Sequence, residues 1–381
     1  MQRTSLALAV FVSLMAGPVG AQAPQGVPDA RASDPIALGW MVGAPPPADR
    51  IISFADSSFV KFPQLRWSFS HWRELFATVE VPRGTGPSSV LLRAERTDLD
   101  GVTFTPLGAS EPMTWAQSLA ANYTDGILVF HKGRIVYEKY FGALKPEGQH
   151  IAHSVTKSLV GTIASMLVAE GQLDAGALVV KYIPELAGRA FLDATVRQVL
   201  DMTTALKFDE TYADPNADVW KWTLAASLLP RPPGYDGPGT SYDYLKMIAK
   251  QGGHGQAFSY KSPNTEVVGW LLRRVTGKPL EQILSERLWQ PLGMERDGYL
   301  QIDTSRTPLA AGGLNLTLRD LGRFCEMMRA DGRFNGQQVV PASVIADIRR
   351  GASKDDFAKA GYKSLPGWSY RNTWWISHER K

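Results

Sequence analysis

His153-Ser154-Val155-Thr156-Lys157-Ser158-Leu159-Val160 opens a stretch that runs to Glu170-Gly171, and its periodicity governs how the rest of the chain is read. Val155, Leu159, Val160, Ile163, Met166, Leu167 and Val168 recur at the helical period and fall on most sides. A helix over residues 154–170, stopped by Gly171, is therefore expected, and it is a buried one. Just upstream the period is two: residues 126–130, the turn His131-Lys132-Gly133-Arg134 and residues 135–140 read as a β-hairpin, assigned to a central sheet.

Outward from that change of period, further helices are expected over 195–203, 265–275, 279–289, 317–330 and 341–350, with Thr317 and Asp320 spaced as a capping box. An aromatic strand is expected over 372–377, and strand-like aromatic runs such as 62–72 interrupt turns in residues 34–118. The Pro- and Gly-punctuated residues 228–244 read as a long loop of the kind that rims functional sites. The fold class is α+β: a central antiparallel sheet flanked by helices, plus a mainly helical lobe. Residues 35–150 and 297–381 form the two parts of the mixed lobe, and residues 151–296 form the helical lobe.

With 381 residues, 44% hydrophobic and 20% charged, the chain is an ordinary globular protein and not a disordered, collagen-like or coiled-coil one. The formal charge of +4 is spread over alternating acids and bases, so no nucleic-acid footprint is expected. One cysteine, Cys325, excludes an internal disulfide and any C-x-x-C site. Six histidines without an i,i+4 helical pair give no metal motif, and neither a metal nor a cofactor is expected. Arg3, the apolar run 6–15 and the small residues Val19-Gly20-Ala21-Gln22-Ala23 form the tripartite pattern of an export signal over residues 1–23, followed by a linker over 24–34. The apolar run is too short to span a bilayer. The expectation is a periplasmic or secreted protein with no stable membrane anchor after signal cleavage; the oligomeric state is not legible.

The chain has no G-x-S-x-G elbow, no H-E-x-x-H, no Walker loop and no G-x-G-x-x-G after a strand. It has S-x-x-K twice, at Ser58-Phe59-Val60-Lys61 and at Ser154-Val155-Thr156-Lys157. In a strand, residues three apart point to opposite faces, which disfavours Ser58; in a helix they share a face, which favours Ser154. A serine hydroxyl attacks only once a base takes its proton, and a lysine desolvated among Val155, Leu159 and Val160 has a reason to give up its charge. The helix N-terminus adds amides and a positive dipole end for an oxyanion. The competing reading makes Ser154 a helix cap and Lys157 a snorkelling surface residue. Tyr260, ahead of the 265–275 helix in Tyr260-Lys261-Ser262-Pro263-Asn264, is a candidate proton shuttle beside that amine.

These motifs together resemble the serine β-lactamase and DD-peptidase superfamily, in particular its class C-like branch of esterases and amide hydrolases. The resemblance spans roughly residues 35–381. It implies a β-lactamase/transpeptidase-like fold, Ser154 as the acylated residue with Lys157 as its activator, and Tyr260-x-Ser262 in place of the family's Y-x-N. Trp289-Gln290-Pro291-Leu292-Gly293-Met294 and Ala311-Gly312-Gly313-Leu314-Asn315-Leu316 are similar to landmarks of the branch. Met41-Val42-Gly43-Ala44-Pro45-Pro46-Pro47 and residues 309–320 are similar to the 6-aminohexanoate-dimer hydrolases, where a serine takes the place of the asparagine. The same resemblance implies Ser262, Tyr212 and Asn315 as substrate-binding residues, Tyr212 from a loop over the substrate and Asn315 from the cleft wall.

One departure stands against these matches. The family's third element, K/H-[TS]-G or H-x-G on a late strand, does not occur before Lys381, so the sheet is expected to be incomplete at the C-terminus and the chain truncated. Three readings follow from the residues together with what the resemblance implies. The first is an exported serine hydrolase of a small-molecule ester or amide. The others are a catalytically impaired envelope binding protein of the same fold, and a class C-like β-lactamase or DD-peptidase.

Overall fold

The computed structural model describes residues 26–379; the leader expected over 1–23 and the start of the linker lie outside them. The expected nucleophile helix forms as Val155–Ala169, with Ser154 at its N-terminal boundary. Leu159, Val160, Ile163 and Ala164 are wholly enclosed in the main core. Burial of each larger side chain is worth roughly 1.5–3 kcal/mol, which outweighs the modest helix propensity of this valine- and threonine-bearing segment. The helix packs against two others, Pro263–Thr276 and Ala342–Arg350.

Four strands form an antiparallel sheet in the order Thr78–Val81, Gly298–Gln301, Leu314–Thr317, Gln149–Ile151. Its register sets Val79 opposite Leu300, Leu300 opposite Leu314, and Asn315 opposite Ile151. Gln149–Ile151 runs directly into the helix Val155–Ala169, and Ala152 N–H still donates to Leu314 O at 2.8 Å. The sheet thereby aims Ser154.

The hairpin forms as Gly126–His131 and Arg134–Tyr140, but it is a two-stranded sheet of its own rather than part of the central one. Its outer edge is occupied by residues 92–96: Ile135 exchanges bonds with Leu92 O and Ala94 N–H, both at 2.8 Å. Its face is covered by the helix Leu318–Arg329, where Gly322 lets Leu128 and Phe130 approach.

The run 62–72 is not a strand. Leu65–Ser68 is helical and Trp72–Glu74 is a 3-10 turn, and Phe59, Trp67 and Trp72 are buried together in a second apolar cluster. Ser58 sits in the 3-10 turn Ser58–Val60, where its Oγ accepts from Ser53 N–H at 2.8 Å while Lys61 reaches the Asp56 carbonyl. The first S-x-x-K copy is a turn motif.

The other helices form close to expectation: Val196–Leu200, Leu280–Leu284 continued by a π-helical turn Ser285–Trp289, and Leu318–Arg329 capped by Thr317, which accepts from Asp320 N–H at 3.1 Å. The loop beginning at Leu228 ends sooner than expected, because Thr240 caps a helix Ser241–Met247. Trp374–Ile376 pairs with Ser369–Arg371 in a late hairpin. Among the described residues no helix is long and apolar enough to cross a membrane.

Candidate active site

Ser154 has the position of an N-cap but makes no side-chain capping bond, and it is exposed. Its Oγ lies 3.1 Å from Lys157 Nζ. Lys157 is 2% exposed, so it does not snorkel. The sequence placed the lysine beside Val155; the structure puts Val155 outside, 45% exposed, and shuts the amine in from other directions. Lys157 Nζ donates to Ala311 O at 2.6 Å and stands 5.2 Å above the centre of the Tyr260 ring. An amine, a hydroxyl and a phenol thus come from two helix starts.

The first-turn amides do less than expected. Those of Val155, Thr156 and Lys157 donate to the carbonyls of Ala152, His153 and Ser154, so they are not available to an oxyanion. Apart from these three amides, the helix end offers its dipole. His153, at φ +42, lies edge-on to Phe69 at 4.8 Å. Burial, with His150 and Lys157 adding repulsion, pushes its imidazole down to about 3. It is neutral at physiological pH.

Beside this group stands a second one. Glu210 accepts from Ser262 N–H at 2.5 Å, from Ser262 Oγ at 2.6 Å and from Tyr212 Oη at 2.9 Å. Burial raises the Glu210 carboxyl above its ordinary value against the opposing pull of Lys157 and these donors. The Tyr212 phenol is raised by burial and by Glu210. Ser262 and Tyr212 are therefore joined through a carboxylate, with the Ser262 hydroxyl committed to it.

Asn315 is placed elsewhere. All of Leu314–Thr317 is buried, Asn315 is 0% exposed, and its amide donates to Gly313 O at 3.1 Å. It belongs to the interior of the central sheet and does not line a cleft, because a central strand covered on both faces has no wet side.

Tyr260 is held by aromatic neighbours from the late hairpin, with Trp375 at 5.5 Å and Tyr370 at 6.1 Å between ring centres. Among the described residues no group of three His, Cys, Asp or Glu side chains is placed to hold a metal ion.

The family description Beta-lactamase matches residues 116–379. The chain belongs to the beta-lactamase family. Within that family it is 32% identical over 321 residues to a 6-aminohexanoate-dimer hydrolase of Paenarthrobacter ureafaciens, across 84% of this chain and 79% of that one. A solved structure of a candidate 6-aminohexanoate-dimer hydrolase from Bacillus anthracis superposes with a TM-score of 0.79 at 30% identity, across 88% of this chain and 85% of the other. A penicillin-binding protein homologue from Pyrococcus abyssi, at 18% identity and a TM-score of 0.52, shares the fold. The protein is a hydrolase of the serine β-lactamase family with the β-lactamase/transpeptidase-like fold.

Sequence reasoning missed two acids of this candidate site. Glu210 carried no periodic signal in its loop. Glu266 did carry one: it is an acid inside the apolar helix Pro263–Thr276, followed by Val267-Val268-Gly269. It is 1% exposed and accepts from Ala311 N–H at 2.8 Å and Ala310 N–H at 3.3 Å. Burial pushes its carboxyl up to about 7, although those two amides and Lys157 favour the charged form.

Proposed function

We propose that this chain hydrolyses a small carboxylic ester or short linear amide through an acyl-enzyme on Ser154. Lys157 Nζ takes the Ser154 proton as Oγ bonds to the carbonyl carbon. As the ester C–O or amide C–N bond breaks, the leaving group takes a proton from the Tyr260 phenol, which Lys157 restores. Water then attacks the acyl carbon, releases the acid and returns the proton to Ser154. The observation that carries this reading is the enclosed amine 3.1 Å from an exposed serine hydroxyl that is not used as a cap. Likeness to proteins named 6-aminohexanoate-dimer hydrolase supports the substrate class.

A β-lactam substrate is less well suited. The Ser262 hydroxyl is spent on Glu210, so that position offers a poor donor to a side-chain amide carbonyl. Location outside the cytoplasm is part of the same proposal and rests on residues 1–23. The test is turnover of p-nitrophenyl esters and short linear amides beside nitrocefin, with a fluorophosphonate label read by mass spectrometry. Ser154→Ala is expected to abolish both turnover and labelling; turnover that survives in this variant, or nitrocefin as the fastest substrate, would refute the proposal.

A further inference from the structure

The turn at Ala310-Ala311 is touched by the helix Pro263–Thr276 at two points on one face. At Gly269 there is no room for a side chain, since a Cβ there would sit 2.5 Å from the Ala310 Cβ. Three residues earlier, Glu266 accepts the Ala311 and Ala310 amides. The carbonyl of the same residue, Ala311, accepts from Lys157 Nζ at 2.6 Å. Three groups therefore stand in series: carboxylate, backbone turn, amine.

We propose that Glu266 is a positioning residue for the acyl transfer: by holding the Ala310-Ala311 turn it sets where the Lys157 amine stands relative to the Ser154 hydroxyl. The inference rests on the function proposed above. Glu266 is buried and has no route to substrate, so it acts only through the turn. A carboxylate is costly to bury and is retained where its hydrogen bonds require the charge. Ionised, it accepts from both amides through strong charge-assisted bonds; protonated, one oxygen carries the proton and becomes a weaker acceptor, so the grip on the turn loosens. The groups that face it are Lys157 from the nucleophile helix, Asp303 from the turn after Gly298–Gln301, and Tyr242 from the helix Ser241–Met247. Because its carboxyl is pushed up to about 7, the grip of Glu266 on the turn changes near neutrality.

The experiment uses the full chain and compares wild type, Glu266→Gln and Glu266→Asp. It reads kcat and KM on a p-nitrophenyl ester, and the rate of fluorophosphonate labelling, from about pH 5 to about pH 9. Glu266→Gln is expected to lower kcat and the labelling rate by about tenfold to a hundredfold with KM unchanged, part of the 10²–10⁴ that a whole general base supplies. The component of the wild-type profile near neutrality should vanish in the Gln variant and return in the Asp variant. A uniform loss with an unshifted profile, or a change within about twofold, would overturn the inference. Should the Gln variant not fold, the wild-type and Asp profiles decide, and a wild type with no ionisation near neutrality overturns it. A wild type that takes no label speaks against the proposed function itself; a labelled wild type with indifferent Glu266 variants speaks against this inference alone.

Discussion

A lysine one helical turn from a serine is an unremarkable pair until water is taken from the amine and not from the hydroxyl. Here Lys157 is enclosed and Ser154 is open, so in the proposed mechanism the base is held for a nucleophile that a substrate can reach. Lys157→Met, which keeps most of the buried volume, is expected to lower ester kcat/KM by about 10²–10⁴, measured with folding checked by circular dichroism. Glu266 also makes a stability prediction. Its folded value of about 7 lies above the ordinary 4.5, so the folded state holds this proton more tightly than the unfolded chain. Its contribution is present below pH 4.5 and is lost as pH rises through about 7. The stability gap between wild type and Glu266→Gln in urea should therefore shift against wild type across that window; a gap independent of pH contradicts the assignment. The i,i+3 spacing made Ser154 and Lys157 readable from sequence. Glu210 was not, because its partners Ser262 and Tyr212 are neighbours only after folding.

At the scale of elements, the helix Val155–Ala169 is clamped by the turn of the late hairpin. Thr373 Oγ1 donates to Lys157 O at 2.6 Å, and Asn372 and Thr373 both take positive φ to make the turn. Gly161 is where this turn crosses the helix: a Cβ would stand 1.9 Å from Thr373 Oγ1 and 2.5 Å from Asn372 O. Gly161→Ala raises helix propensity yet is expected to destabilise by about 1–3 kcal/mol, because the backbone turn has to move. A lower urea midpoint, together with slower labelling of Ser154, would show that the clamp serves the site; an unchanged midpoint would refute it. Helix identity was legible, and so was the cap at Thr317, since Thr317-Asp320 announces its own start. The independence of the 126–140 hairpin was not. Alternation shows that a strand has two faces but not which segment takes its edge, and residues 92–96 took it.

For the whole molecule, distant segments are tied by buried charge. Arg323, 3% exposed, donates to Asp320 at 3.1 Å, to Ser89 O at 2.8 Å and to Glu295 at 3.2 Å, joining residues more than two hundred positions apart. Removing the cation leaves Asp320 buried without its partner, so Arg323→Met is expected to cost about 3–5 kcal/mol, read from urea denaturation. A loss below about 1 kcal/mol would mean that this knot adds little beyond its packing. By itself the sequence determined the helix that carries the serine, the lysine on its face, the tyrosine ahead of a second helix and the mixed class of the fold. These depend on period and on neighbours a few residues apart, which local backbone geometry dictates. Tertiary structure alone decided that Asn315 is interior, that Ser262 and Tyr212 share Glu210, and that Glu266 reaches Lys157 through a turn. Those outcomes depend on which surfaces meet and which polar groups lose water, and no spacing along the chain encodes that directly.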